Sequence, residues 1–174
     1  MNVFAVSKHP RKCARALDDI RLNKMMLETA QILCTVINLE KKAKVTPYRS
    51  SHVGNAIVKW AHSDPHHWSW LYALAEAYGD EIIHRTGRRH ASQLVVQGLT
   101  LNWPWLAEPP RGDIEFINRA AHSKLGLDFK HLPVHQAYKE YLNARWDLQE
   151  ITPRKSGKIV PPKWTNRGAP SWRS

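Results

Sequence analysis

Apolar residues recur at helical spacing along most of this chain, and proline, Asp-Pro and glycine cut the pattern into separate runs. Alternation of period two is nearly absent; only "VFAV" near the start and "QLVV" have the composition of strands, and both are short. These features predict an all-α fold. The first helix starts at Pro10 in "PRKCARAL", where the missing N–H costs nothing. Asp18 or Asp19 caps a second helix that reaches about Leu39. Its apolar positions are Ile20, Leu22, Met25, Met26, Ala30, Leu33, Val36 and Ile37. "HVGNAIVKWAH" predicts a short helix ended by "SDP", and Asp64 and Pro65 open a long one that closes on Gly87. "HASQLVVQGL" and "DIEFINRAA" are further candidates, and "NWPWLAEPPRGD" is a Pro-rich loop. A final helix begins at Pro133. The expected organisation is one compact helical domain over residues 1–150, followed by an irregular basic arm over 151–174.

The chain has 26 Lys and Arg against 15 Asp and Glu, a formal net charge of +11. The excess is concentrated. From Ile151 to the end lie Arg154, Lys155, Lys158, Lys163, Arg167 and Arg173, with no acid. Lys8, Arg11, Lys12 and Arg15 form a second set, and "HRTGRRH", with Arg85, Arg88 and Arg89, a third. A field of this sign attracts polyanions, and Lys and Arg on phosphates supply most nucleic-acid affinity. Trp164 and Trp172 lie among the basic residues of the arm, so either they stack on bases or wedge into a groove, or the arm folds over the domain and buries them. The remaining tryptophans, including Trp60, Trp68, Trp70, Trp103, Trp105 and Trp146, are expected in the core. The expected partner is double-stranded DNA, damaged or modified, bound by a monomer. No run of apolar residues is long enough to span a membrane, and no secretory leader is evident, so a cytoplasmic location is expected. Two cysteines, Cys13 and Cys34, read as reduced, partly buried thiols.

Asp18, Arg21, Lys24, Glu28 and Gln31 form a polar stripe down one face of the second helix. The stripe is either a solvated face or the wall of a cleft. In a cleft, Glu28 would act as a general acid or base, or support a cationic intermediate. His62, His66 and His67 crowd together, but Pro65 breaks the helical spacing a metal pair needs, so no metal is expected there. Glu76 with Asp80 or Glu81 resembles a carboxylate pair and reads mainly as a solvated face.

The segments "LDDIRLNKMMLETAQIL", "PYRSSHVGNAIVKWA", the Trp68, Trp70, Leu71 group and "HRTGRRHAS" together resemble small phage and bacterial proteins labelled pyrimidine-dimer DNA glycosylase, of the endonuclease V type. The likeness spans most of residues 1–95 and includes Asp19, Arg21, Leu22 and Glu28. It implies a mostly helical domain that binds damaged duplex DNA for repair and needs no cofactor. In that family the α-amine of the first residue attacks C1′ of the damaged nucleotide, forms a Schiff base, and β-elimination breaks the strand. An α-amine ordinarily titrates near 8, which leaves a nucleophilic fraction at neutral pH. The resemblance therefore implies catalytic roles for Met1 and Asn2 at the terminus, for Glu28 beside the amine, and for Arg21 on phosphate or sugar oxygens. It also implies that His52 and Asn55 face the same cleft as Glu28, for which Asp18, Asp19 and Gln31 are further candidates. The chain departs from the family in two places: Asn2 stands where a small residue follows the initiator, so Met1 is expected to stay, and Leu27 stands where an arginine precedes the glutamate. The competing expectations are a DNA-binding protein without catalysis, and an enzyme on a similar scaffold acting on modified bases or through a metal. Removal of the arm after about Glu150 is expected to weaken DNA binding and leave the domain folded.

Overall fold

The computed structural model describes residues 1–102 and 113–173, with the side chains of residues 101 and 102 left out; Trp103 and Trp105 therefore lie outside the described residues. The fold is compact and mostly helical. Its elements are α1 (Pro10–Ala16), α2 (Asp19–Glu40), α3 (Ala56–Ser63), α4 (Pro65–Thr86), α5 (Ala91–Asn102), a two-stranded hairpin of β1 (Ala121–His122) and β2 (Leu127–Asp128), and α6 (Val134–Ile151).

Local chemistry sets the helix ends. The Asn55 side chain accepts from the N–H of Ile57 at 2.8 Å and caps α3. That of Asp64 accepts from His66 at 2.7 Å and caps α4, with Pro65 in the first turn. Gly87 ends α4 with φ of +69°, a left-handed conformation that a Cβ would disfavour.

Every residue of α2 from Ile32 to Asn38 is buried, so this half is wrapped on all sides. It packs on α4, α5 and α3, while α1 lies on α4. Trp68, Trp70 and Trp146 are almost completely buried. Their indole N–H groups reach the carbonyls of Leu33 and Lys8 and the carboxylate of Asp18, which satisfies the polar edge of each ring. Cys13 and Cys34 are buried free thiols. Burial pushes the Cys13 thiol up to about 12, which keeps it protonated and inert.

Three local expectations change. "VFAV" is buried but pairs in no strand and turns at its end, where the Val6 N–H bonds the Phe4 carbonyl, and "QLVV" lies inside α5. Residues 113–120 are irregular where a short helix is predicted. Their polar groups have found tertiary partners instead: the Glu115 carbonyl accepts from Trp60, the Arg119 N–H donates to the Tyr138 hydroxyl, and Asn118 bonds both Ala120 and Leu132.

The arm has no regular structure beyond α6; residues 151–159 are exposed, and from Val160 onward it is fitted to the domain. The Trp164 indole donates to the Ala16 carbonyl at 3.0 Å and meets Trp146 edge-on at 5.0 Å between centroids. Trp172 stacks on the Trp146 ring at 5.6 Å. The Lys163 carbonyl accepts the N–H of Asp19, the first residue of α2, at 2.8 Å. Thr165 donates to the Asp19 carboxylate through both its N–H and its hydroxyl. Arg167 pairs with Glu81, and Arg173 with Asp147 and Glu150.

Candidate active-site cleft

The N-terminal half of α2 is not wrapped, and there the fold leaves a cleft of about 600 Å³. One wall is the polar stripe of α2, with Arg21, Lys24 and Glu28 between Ile20 and Met25. The opposite wall is the face of α6 that carries Tyr141, Arg145, Leu148 and Gln149 at helical spacing. Met1, Asn2 and Phe4 line it from the chain start, His122 and Leu125 from the hairpin, and Arg154 from beyond α6.

The chain start is fixed at this cleft by side chains from distant elements. The Asn2 N–H donates to Glu28 Oε2 at 3.3 Å. The Asn2 carboxamide oxygen accepts from the Tyr138 hydroxyl at 3.1 Å, and its Nδ2 donates to the Arg119 carbonyl at 3.3 Å. Asn55 Nδ2 donates to the Met1 carbonyl at 3.2 Å, so one side chain caps α3 and holds the first residue. Glu28 is one-sixth exposed, and Lys24 Nζ stands 3.5 Å from its other oxygen. Arg21 donates to Asp18 at 2.7 Å and to Gln149 at 2.9 Å, tying α2 to α6 across the cleft. The result is one carboxylate, four basic side chains (Arg21, Lys24, Arg145 and Arg154) and an imidazole, with an apolar lining from Phe4, Met25 and Tyr141. Such a space can hold an anionic group against the cations while a flat apolar one lies on the ring and aliphatic surfaces.

Several residues expected at the cleft are placed elsewhere. Asp18 is fully buried, with Oδ1 shared by Arg21 and Trp146, so it supports Arg21 from behind. Asp19 faces away, to Arg85 and Thr165. Burial raises the pKa of its carboxyl, but the hydrogen bonds from Thr165 and Arg85 outweigh it and hold the group below the usual range. Gln31 is half-buried and His52 exposed, and neither lines the cleft.

The residues expected on DNA divide in the same way. Lys24 is exposed at the cleft mouth. Lys8, Arg11, Lys12, Arg15, Arg88, Arg89 and Lys163 are exposed away from it. Arg85 is a correction to the expected surface cluster, because its side chain is 1% exposed and fully engaged. It donates to Glu81 at 2.8 Å, to Asp19 at 2.9 Å, and to the carbonyls of Leu17 and Arg15. The last turn of α4 packs under the α1–α2 junction, where an arginine is tolerated only when its donors are matched. Trp164, Trp172, Arg167 and Arg173 hold the arm to the domain as described above.

The histidines have partners, whereas the expected solvated acid face is corrected: Glu81 is buried and held by Arg85 and Arg167, and one oxygen of the half-buried Glu76 has no hydrogen-bond partner among the described residues. His62 bonds Glu40 at 2.6 Å, and His67 stacks on Trp60 at 4.4 Å while bonding its carbonyl. Burial raises the Glu76 carboxyl, and Asp80 one turn on adds to it. Among the described residues no group of three His, Cys, Asp or Glu could hold a metal ion.

His122, Arg145, Gln149 and Arg154 are cleft residues absent from the sequence-based set. The spacing of Tyr141, Arg145, Leu148, Gln149 and Thr152 marks a face of α6, but nothing local says that it turns toward Glu28. No helix of the described residues is long and apolar enough to cross a membrane. Compared with protein-family models, with curated proteins and with solved structures, the chain matches none.

Proposed function

We propose that the chain is a DNA glycosylase acting on a damaged or modified base in duplex DNA, with an associated lyase step. The observation that carries this reading is that Glu28 accepts the Asn2 N–H and Asn55 holds the Met1 carbonyl at a cleft rimmed by basic side chains. In the proposed reaction the α-amine of Met1 attacks C1′ of the target nucleotide. The C1′–N bond breaks and the base leaves with a proton. The nitrogen lone pair then forms a double bond to C1′ as the C1′–O4′ bond breaks and O4′ takes a proton, giving a protonated Schiff base; removal of a C2′ proton then breaks the C3′–O bond and expels the 3′ phosphate. Glu28 is placed to stabilise the positive sugar and to accept or return these protons. Arg21, braced by Asp18 and Gln149, offers its remaining donors to phosphate or sugar oxygens. Asn2 positions the amine through its own N–H and carboxamide.

The test is a strand-cleavage assay on end-labelled duplexes carrying an abasic site, with ultraviolet-irradiated duplex alongside. The expected result is cleavage that persists in a chelator and disappears in Glu28→Gln. Cleavage abolished by chelator would favour a metal-dependent nuclease instead. Tight binding with no cleavage of either duplex would leave a DNA-binding protein and overturn the enzyme.

A further inference from the structure

After α2 the chain turns back and runs along the helix it has just left. Lys42, with φ of +50°, makes the turn. The Asn38 side chain accepts the N–H groups of Val45 and Thr46 at 2.9 and 3.1 Å and donates to the Tyr48 carbonyl at 2.9 Å. One turn nearer the cleft, the Thr35 hydroxyl accepts the N–H of Ser51 at 3.1 Å. Asn55 completes the path by bonding Met1. Residues 45–55 are therefore a strap held to α2 at successive turns, which ends at the cleft edge.

The strap begins in a basic set that the Pro-containing loop pattern did not bring forward. Lys41, Lys42, Lys44 and Arg49 are exposed, and none makes an ion pair with a described residue. No Asp or Glu occurs from Lys41 to Ser63. The acid next to this set, Glu40, is engaged by His62. The Tyr48 hydroxyl lies 3.0 Å from Ser92 Oγ, which brings the strap beside the start of α5, just after the exposed Arg88 and Arg89. Two basic segments separated by some forty residues thus flank one stretch of surface.

We infer that the basic turn of Lys41, Lys42 and Lys44, together with the strap that leads from it to the cleft edge, is a second DNA-contacting surface that engages the phosphates of the duplex on one side of the target nucleotide. The inference rests on the glycosylase reading for its occupant. Thirteen residues of helix separate Glu28 from Lys41, a rise of about 20 Å, or about six nucleotide steps at 3.4 Å each. Duplex DNA is a rigid rod of regularly spaced charge over that length, so cations at that distance meet phosphates of the same molecule that enters the cleft.

The test is fluorescence anisotropy with a 20-base-pair duplex carrying a central tetrahydrofuran abasic analogue, titrated across salt concentrations. Lys41→Gln, Lys42→Gln and Lys44→Gln are combined in one variant, and Arg49→Gln is made separately. All four side chains are exposed, so unchanged melting temperatures are expected. The triple variant should bind about tenfold or more weakly at 0.1 M salt, with the slope of log K against log salt reduced by about 0.9 for each phosphate no longer neutralised. Cutting one flank of the duplex to three base pairs should weaken the parent protein and leave the triple variant unaffected. Equal slopes for parent and variant, or no duplex binding by the parent, would overturn the inference. So would binding to phosphatidylserine vesicles that depends on the same lysines while duplex binding does not. A reduced slope without strand cleavage would sustain the surface and remove the enzyme; cleavage with an unchanged slope would do the reverse.

Discussion

Two charged clusters flank the start of α2, built from the same residue types and put to opposite use. Asp19, Glu81, Arg85 and Arg167 form a set matched within itself: the two carboxylates and the buried guanidinium satisfy one another, and Arg167 on the arm completes the group, although Glu81 and Arg167 also border a smaller cleft of about 290 Å³. Arg21, Lys24, Glu28 and Arg145 form an open set around empty volume, in which Glu28 meets a backbone N–H and a loosely placed lysine. The difference is one of closure. Where packing brings each charge a partner, the cluster is structural. Where packing leaves donors facing a space, it can take a ligand. Adjacent residues illustrate this, since Asp18 and Asp19 go to opposite sides of the helix start and serve different clusters.

The comparison is broken most directly at Glu28. Glu28→Gln should lower strand cleavage by about 10²–10⁴-fold, the range for loss of an acid–base group, and leave the melting temperature nearly unchanged. A large loss of stability without a selective loss of cleavage would make this cluster structural as well.

The closed cluster should respond in the opposite sense. Arg85→Met leaves Glu81 and Asp19 without their buried partner, at a cost of about 3–5 kcal/mol. For a chain of this size that is a fall in melting temperature of roughly 6–20 °C. Cleavage measured well below the new melting point should be close to normal. Truncation after Glu150 removes Thr165, Arg167 and the rings that cover Trp146. Truncation should therefore lower stability by several kcal/mol, read by thermal melting, even if the shortened domain stays folded.

How far the chain could be read from its sequence follows the same division. Helix ends were legible where one local group decides them, as at Pro10, Asp64, Pro65 and Gly87. The stripe on α2 was legible as a stripe, and Glu28 as its member most suited to chemistry. What could not be read was closure. Arg85 sits in a basic string, and only the packing of α4 under the α1–α2 junction turns it inward. Trp164 looks the same in sequence whether it faces a base or Trp146. The second wall of the cleft comes from α6, more than a hundred residues after Glu28, and no local signal joins them. Residues 113–120 have a helix-like pattern, yet Trp60 and Tyr138 claim their backbone groups first.

Acid should separate the clusters further. Partners hold both Asp19 and Glu81 below their ordinary values of 3.8 and 4.5, against the opposing effect of burial. Carboxyls with depressed folded values add stability that is whole above the ordinary range and disappears as pH falls through the folded values. The melting temperature should therefore drop as pH falls below about 4.5. The drop should be shallower in Arg167→Gln, which has already lost part of this contribution. An identical acid profile in the two proteins would mean that the arm does not bind as described.

The smallest effect is expected at Lys24. Lys24 is exposed, and its pair with Glu28 is loose and in the less favourable helical order, so Lys24→Gln should change stability by no more than a few tenths of a kcal/mol. Any larger consequence should be confined to DNA affinity, read as a lower salt slope.

The central claim is that the amine of Met1, one residue before the Asn2 N–H that Glu28 accepts, attacks a sugar bound at the open cluster. Borohydride reduction during incubation with abasic duplex, followed by peptide mapping of the product, tests it directly. The account predicts a covalent adduct on the α-amine of Met1, formed by the parent protein and strongly reduced in Glu28→Gln. An adduct on Lys24, or no adduct under conditions where the duplex is bound, would contradict it.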